Sequence, residues 1–204
     1  MSSNYFYFTI EVAGSAVLCY NPIAHSYVGG TFALRPKLDE WDNSNQEGKM
    51  KPNIGISGKN LNGSVDILNQ LLADEYLLYT KTRNYHWNVE GQDFSELHKF
   101  FESQYEELDE IIDEVAERAR SMGGKALGTL KEFLAKTKLK EFPANYPSAN
   151  KMISNLLADH ESIIQGLRQS LEICNHQYKD MGTSDFLTGL MEQHEKMTWM
   201  LRSY

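Results

Sequence analysis

Apolar residues recur at steps of three and four along most of the chain, which is the spacing of a helix with one buried face. The run "SVDILNQLLADEYLLYTKTRNYHW" predicts a first helix of about six turns. A second helix is predicted from about Phe94 to Met122, because Gly123-Gly124 is the usual signal for a helix C-terminus. The "NVEGQD" between the two helices predicts a short loop.

A connection of about 25 residues separates the second helix from the next long one, which is too long for a hairpin between neighbours. Within it, "TLKEFLAKTKL" predicts a short helix, which the two prolines of "EFPANYPSAN" end. Ser148 is expected to cap the third long helix, and Thr183 or Ser184 the fourth. This order is typical of a ferritin-like four-helix bundle, so the predicted fold class is all-α, with a short extra helix in the long crossover between helices two and three.

The composition narrows the range of partners. Of 204 residues, 41% are hydrophobic, which suits one buried core plus an appendage. The formal net charge of −8 favours metal cations over nucleic acid, whose binding depends largely on Lys and Arg. Cys19 and Cys174 form no CxxC pair, which argues against a thiolate zinc site or a disulfide framework and favours a reducing cytoplasm. No apolar run reaches about 18 residues, and the N-terminus lacks a basic signal region, so neither a membrane span nor a signal peptide is predicted.

The predicted second helix carries two pairs of candidate metal ligands. His98 and Glu102 are four residues apart, as are Asp113 and Glu117, so each pair shares one helix face. The eleven residues from Glu102 to Asp113 make about three turns, which puts both pairs on the same face but about 16 Å apart along the axis. One straight helix therefore cannot bring both pairs to a single ion.

A two-fold axis near residues 107 and 108 would remove this difficulty. An antiparallel copy of the helix would set its acidic pair opposite His98 and Glu102 of the first chain, and the site would lie between subunits. His86, which ends the first helix across the short loop, could supply the other nitrogen. This mixture of imidazole and carboxylate suits iron, with manganese or zinc as competitors.

A di-iron centre within one bundle requires a different pattern, with two Glu-x-x-His pairs and two further Glu residues. No histidine of this chain has an acid three residues before it; those positions hold Pro22, Arg83, Ser95, Leu157, Ile173 and Met191. The sequence therefore argues against a centre within one chain. His160, His176 and His194 are accordingly not expected to be ligands.

Several motifs resemble the Dps family, the dodecameric mini-ferritins that oxidise ferrous iron, store it and protect DNA during starvation. They are "HWNVEG", the histidine and glutamate of "LHKFFE", "DEVAER", the glycine stop and the closing "TSDFLTGLMEQHEKMTWMLR", over about residues 50 to 204. The resemblance implies a ferroxidase centre at the two-fold interface, with "DEVAER" facing the histidines of the mate. The implied catalytic residues are His86, His98, Glu102, Asp113, Glu117 and Trp87, of which all but Trp87 would bind metal.

The resemblance also implies what this centre does. Two ferrous ions would be oxidised together, commonly by hydrogen peroxide and otherwise by oxygen, and the ferric mineral stored in a hollow homododecamer with tetrahedral symmetry. Trp87 matches a tryptophan thought to absorb stray oxidising equivalents. Asp180 and Asp185 match acidic residues of three-fold pores, while Gly189 stands where some relatives carry a third acid. No haem and no membrane partner are expected, and the cytoplasm is the expected location, with nucleoid association left open.

Contact with DNA is expected to be weak. Relatives that bind DNA directly often use a flexible basic tail, whereas Met50 to Asn60 offers only Lys51 and Lys59. Protection by removing iron and peroxide requires no contact with DNA. The alternative function is a DNA-compacting structural dodecamer with a vestigial metal site.

Residues 1–49 differ from the rest of the chain. They contain a strand-like run, "YFYFTIEV", and a polar "DEWDNSNQEGK", and they show no helical period. We expect an N-terminal extension over 1–49, irregular or non-native, and a bundle domain over 50–204. The leading hypothesis is that Met50 is the native start, and the competing one is a genuine tail outside the shell.

Overall fold

The computed structural model describes the backbone of residues 8–12 and 15–19 and the whole of residues 52–204. The chain divides into two units, Met1–Lys49 and Met50–Tyr204. The prediction that residues 1–49 are an irregular or non-native extension falls largely outside the described residues and stays a prediction.

Two short strands are described in the first unit. Strand β1 (Phe8–Val12) pairs antiparallel with β2 (Ser15–Cys19), and Phe8 stands opposite Cys19. Strand β1 coincides with the second half of the strand-like run seen in the sequence.

The second unit is built from helices. They are α1 (Gly58–Asn88), α2 (Phe94–Ser121), α3 (Leu130–Lys136), α4 (Ala149–Glu172) and α5 (Met181–Arg202), and a π-helical turn, Ile173–Gln177, continues α4. The main packing pairs are α1 with α2 and α4 with α5, while α3 lies in the crossover and contacts α1. The predicted four-helix bundle with a short extra helix is therefore confirmed. Within the described residues, every helix is too short or too polar to cross a lipid bilayer.

Most of the predicted helix ends are found where the sequence placed them. Helix α2 stops before Gly123, whose φ of +85° is a left-handed conformation that glycine adopts without steric cost. Ser148 is the N-cap of α4, although its side chain makes no capping hydrogen bond. Helix α3 begins with a capping box in which Thr129 and Glu132 satisfy each other's backbone N–H groups. The Thr129 hydroxyl and the Gly128 backbone hold the pKa of the Glu132 carboxyl below its usual value.

The predicted cap of the last helix is wrong. Asp180, rather than Thr183 or Ser184, is the N-cap of α5, and its carboxylate accepts a hydrogen bond of 3.0 Å from the Thr183 backbone N–H. Asp180 has a non-helical backbone, with φ of −107° and ψ of 75°, whereas Thr183 already lies inside the first turn. Its carboxylate can therefore reach a free N–H of that turn, which is the requirement for a cap.

All four long helices contribute to one apolar core. Their largest fully buried side chains are Leu68, Leu72, Leu78, Phe101, Leu108, Ile111, Met152, Leu156, Leu167, Leu187, Leu190 and Met197. Burial of this apolar surface is the main favourable contribution to folding.

Three ionisable side chains lie fully buried within the same bundle. Glu75 of α1, His194 of α5 and His160 of α4 each have no exposed surface. The His194 Nε2 is 2.9 Å from a Glu75 carboxylate oxygen, and the Nδ1 atoms of the two histidines are 2.9 Å apart. Only one hydrogen can lie between the two Nδ1 atoms, so one histidine donates it and the other accepts it. His160 Nε2 and the second Glu75 carboxylate oxygen lack a hydrogen-bond partner. This triad connects three helices by polar contacts where no water reaches.

Burial, together with the neighbouring His194, holds the pKa of His160 well below its usual value. The folded protein therefore keeps this imidazole neutral at pH values where the unfolded chain binds a proton, near pH 6.5. Because the unfolded state then holds more protons, the stability from this group is complete above about pH 6.5 and is lost as the pH falls below it.

We predict that His160→Gln weakens the acid sensitivity of the bundle. The free energy of unfolding of the wild type should fall by about 1.4 kcal/mol per pH unit from His160 alone below about pH 6.5, and this share should vanish in the variant. Denaturant unfolding between pH 7.5 and 5.5 measures both slopes. His176→Gln is the control, because the His176 side chain is 68% exposed and water reaches it in both states. Equal slopes for wild type and His160→Gln would contradict the prediction.

Candidate metal centre

His86 and His98 face each other across the turn between α1 and α2. Their rings stack with centroids 3.8 Å apart and planes 20° apart. His86 Nδ1 is 2.8 Å from the His98 carbonyl oxygen, and His98 Nδ1 is 2.9 Å from the His86 carbonyl oxygen. A carbonyl oxygen only accepts, so each Nδ1 carries a hydrogen and donates it, and Nε2 is the ring nitrogen left for another partner. Both rings are thereby held with Nε2 as the nitrogen available to a metal ion.

The turn that pairs the two histidines has a local cause in the sequence. Helix α1 ends at Asn88, and its C-cap, Val89, is extended and buried and donates its N–H to the Tyr85 carbonyl. Gly91 follows with a φ of +126°, a conformation that side chains rarely adopt. The chain can therefore reverse within residues 89–93, which places the last turn of α1 beside the start of α2.

Aromatic rings surround the pair. Phe94 stacks on His98 with centroids 5.2 Å apart, and Tyr105 meets the His86 ring edge-on, also at 5.2 Å. Burial, and then the charge of Glu102, raises the pKa of the Tyr105 phenol. Glu102 is half-buried one turn after His98. The two histidines and Glu102 thus occupy one end of the α1–α2 pair.

Asp113 and Glu117 lie at the other end of α2, and both are exposed. Helix α2 runs without a break from Phe94 to Ser121, so the helical rise puts Asp113 about 22 Å from His98 along the axis. Within the part of the chain that the structure describes, no three His, Cys, Asp or Glu side chains are placed to hold one metal ion. The structure brings the histidines together, and it keeps the distal acids apart from them within a single chain.

The remaining predicted site residues have different surroundings. Trp87 is exposed beside His86, and the Arg83 guanidinium lies 5.4 Å from the centroid of its ring. Asp180 is buried, caps α5 and lies 3.5 Å from the Arg118 guanidinium, so part of its carboxylate already has a structural role. Asp185 is exposed. The pore assignment of both aspartates stays a prediction.

Comparison with known proteins shows that this chain is similar to ferritin-like proteins in both sequence and fold. Residues 65–204 match the model of the ferritin-like domain. An uncharacterized low temperature-induced protein of Nostoc sp. is 47% identical over 152 residues, which are 74% of this chain and 85% of that protein. DNA protection during starvation protein 2 of Bacillus anthracis is 38% identical over 69% of this chain and 94% of its own length. The Dps protein of Vibrio cholerae O1, described as a ferritin-like diiron-carboxylate protein, superposes with a TM-score of 0.71 at 29% identity, over 76% of this chain and 98% of that one.

The turn at Gly91 provides a test of how the histidine pair is held. Gly91→Ala should lower the free energy of unfolding by about 1–3 kcal/mol, because a side chain at a φ of +126° is strained whatever space surrounds it. Gly128→Ala is the matched control, since no heavy atom lies within 4 Å of the added carbon and the backbone is not in this region. Thermal unfolding of the two variants measures the difference. Equal loss of stability in both would show that the turn imposes no such constraint.

Proposed function

The chain belongs to the Dps family of ferritin-like proteins, and on that basis we propose that it is a ferroxidase and iron-storage mini-ferritin. The observation that carries this proposal is the pairing of His86 and His98, which leaves two Nε2 atoms available at one end of α2. Neutral imidazoles with a nearby carboxylate are ligands that ferrous iron accepts. Iron is here the substrate, and the proposed reaction is its oxidation.

The proposed centre is shared between two subunits. His86, His98 and Glu102 come from one chain, and Asp113 and Glu117 come from its mate across a two-fold axis. The separation of the two groups along an unbroken α2 supports this, as does the exposure of both distal acids, which leaves them open to a second chain. Six such pairs would build the homododecamer that the family resemblance implies.

The residues of this chain contribute to the oxidation by position and charge. The backbone carbonyls that accept from both Nδ1–H groups increase the basicity of the opposite nitrogens. The carboxylates of Glu102, Asp113 and Glu117 offset the positive charge of the two ferrous ions. Two ferrous ions and one hydrogen peroxide take up two protons and give two ferric ions and two water molecules. Removing two electrons together avoids the release of a hydroxyl radical, and Trp87 would intercept oxidising equivalents that escape.

The charge of the assembly supports protection of DNA without contact. Twelve chains of formal charge −8 give about −96 (12 × −8), which attracts cations and repels polyphosphate. DNA would then be protected because the protein removes ferrous iron and peroxide together. We place this activity in the cytoplasm and assign entry of iron to pores near Asp185.

Anaerobic loading with two ferrous ions per subunit, followed by a limiting pulse of hydrogen peroxide, tests the activity. We expect ferric absorbance to rise, with two ferrous ions consumed per peroxide. Glu114→Ala is the control on α2, because Glu114 is an exposed acid next to Asp113 that has no place in the proposed centre. An assembled shell that gives no ferric absorbance would defeat the proposal and favour the DNA-compacting alternative.

Co-assembly of two inactive variants tests the shared centre. His98→Ala and Asp113→Ala should each lower the initial rate of ferrous oxidation by more than about tenfold, because each removes a ligand from every centre. Equal random mixing makes about half of the two-fold interfaces mixed, and each mixed interface holds one intact centre of two. The mixed shell should therefore regain about a quarter of the wild-type rate. If mixing restores nothing, the ligands act within single chains.

A further inference from the structure

Arg83 lies among three aromatic rings beside the histidine pair. Its guanidinium carbon is 5.5 Å from the ring centroid of Tyr79, 5.4 Å from that of Trp87 and 5.0 Å from that of Tyr105. Tyr79, Arg83 and Trp87 follow each other at four-residue steps on one face of α1, and Tyr105 reaches them from α2. The positive charge is therefore placed over the rings by the helix spacing itself.

The guanidinium is fixed in this position. Its Nη1 donates a hydrogen bond of 2.5 Å to the Tyr79 hydroxyl, and its Nε is buried without a partner. Among the described residues, no carboxylate lies within ion-pair distance of Arg83, and Asp109 influences it only at longer range. The charge over the Trp87 ring is thus held by a hydrogen bond to Tyr79 and has no direct ionic partner among the described residues.

The location links this charge to the candidate centre. Trp87 follows His86 in the chain, and the Tyr105 ring that faces Arg83 also meets the His86 ring at 5.2 Å. Arg83 and its rings therefore lie directly beside the histidine end of the proposed centre.

A fixed cation affects the oxidation of indole in a definite direction. Removal of one electron from a tryptophan ring leaves a radical cation, which then loses the indole N–H proton to water. A positive charge over the face of the neutral ring is attracted by its π electrons, and this attraction turns into repulsion once the ring is positive. The one-electron reduction potential of the ring therefore rises.

We propose that Arg83 is a positioning residue that sets the oxidant strength at which Trp87 reacts, by holding a positive charge over the indole ring. Trp87 then loses an electron to a given oxidant about two- to fivefold more slowly than it would without the charge. The biological role of this effect rests on the proposed ferroxidase function. The effect of Arg83 on the oxidation of Trp87, however, is present in the protein without iron.

Trp199 provides an internal reference. In the single chain its exposed fraction is 63%, against 64% for Trp87, and comparing the same ratio between variants of the assembled protein cancels any covering that assembly adds to either ring. Among the described residues, Arg83 makes a cation–π contact with Trp87, and Trp199 has no such contact. The ratio of oxidised Trp87 to oxidised Trp199 within one sample thus reports the local environment of Trp87.

The test uses the assembled, iron-free protein and photogenerated ruthenium(III) tris-bipyridine, which takes one electron from indole and returns to ruthenium(II). Peptide mass spectrometry gives the Trp87 to Trp199 ratio. Arg83→Gln should raise this ratio about two- to fivefold, the factor that corresponds to an exposed cation–π contact. Arg83→Lys should bring it back toward the wild-type value, because it retains the charge. Arg120→Gln, at an exposed arginine on α2, should leave it unchanged.

A second oxidant separates charge from exposure. The hydroxyl radical reacts with accessible rings almost regardless of their potential, so its Trp87 to Trp199 ratio should be the same in Arg83→Gln and wild type. An equal rise with both oxidants would mean that the substitution only uncovers Trp87, and this overturns the proposal. An unchanged ratio with ruthenium, or an Arg83→Lys protein that behaves like Arg83→Gln, also overturns it. Because no iron is present, failure of the ferroxidase proposal would leave this outcome intact.

Discussion

An α-helix holds its side chains at fixed heights along its axis, and this constraint on α2 governs the candidate centre. The helix is unbroken from Phe94 to Ser121, so the acids near its C-terminal end cannot approach the histidines near its start. Each chain therefore carries two separate groups of candidate ligands at opposite ends of one helix. Chemistry that needs both groups therefore requires two copies of α2 to meet.

The bundle around this helix combines two kinds of interior. Most of it is apolar, and packing of leucine, methionine and phenylalanine side chains holds the four long helices together. The triad of Glu75, His194 and His160 is a polar exception in the same interior. Buried polar atoms cost free energy when they lack a hydrogen bond, and two atoms of this triad lack one. The interior also holds the imidazole of His160, which takes up a proton more readily in the unfolded chain than in the folded one.

Much of the fold could be predicted from the sequence because its signals are local. Apolar periodicity and the glycines after Met122 are read from neighbouring residues, and they located the long helices and the end of α2. The start of α1 lies six residues before the predicted run, because "GKNLNG" has little apolar content. The cap of α5 was missed because capping depends on the backbone angles of Asp180, which the sequence does not show.

The polar contacts between helices were not predictable in the same way. A search for an acid three residues before each histidine cannot find Glu75, which approaches His194 from a different helix. The spacing of His86 and His98 in the sequence predicts that they lie near each other. It does not predict that their rings stack or that each ring bonds to the main chain of the other residue. The sequence shows Arg83 only as a residue that is not an acid three positions before His86, whereas its position among three rings depends on α1 and α2 together.

The bonds that orient His86 and His98 have a consequence for how the site can change over evolution. In many metal sites the group that orients a ligand histidine is a side chain, which a single nucleotide change can remove. Here both acceptors are main-chain carbonyl oxygens, and each histidine supplies the acceptor for the other. Every substitution at either position keeps the carbonyl and removes only one ring, so the orientation of the surviving imidazole is inherited with the backbone. The orientation of one imidazole in the candidate centre can therefore persist through mutational drift as long as the turn between the two helices is kept.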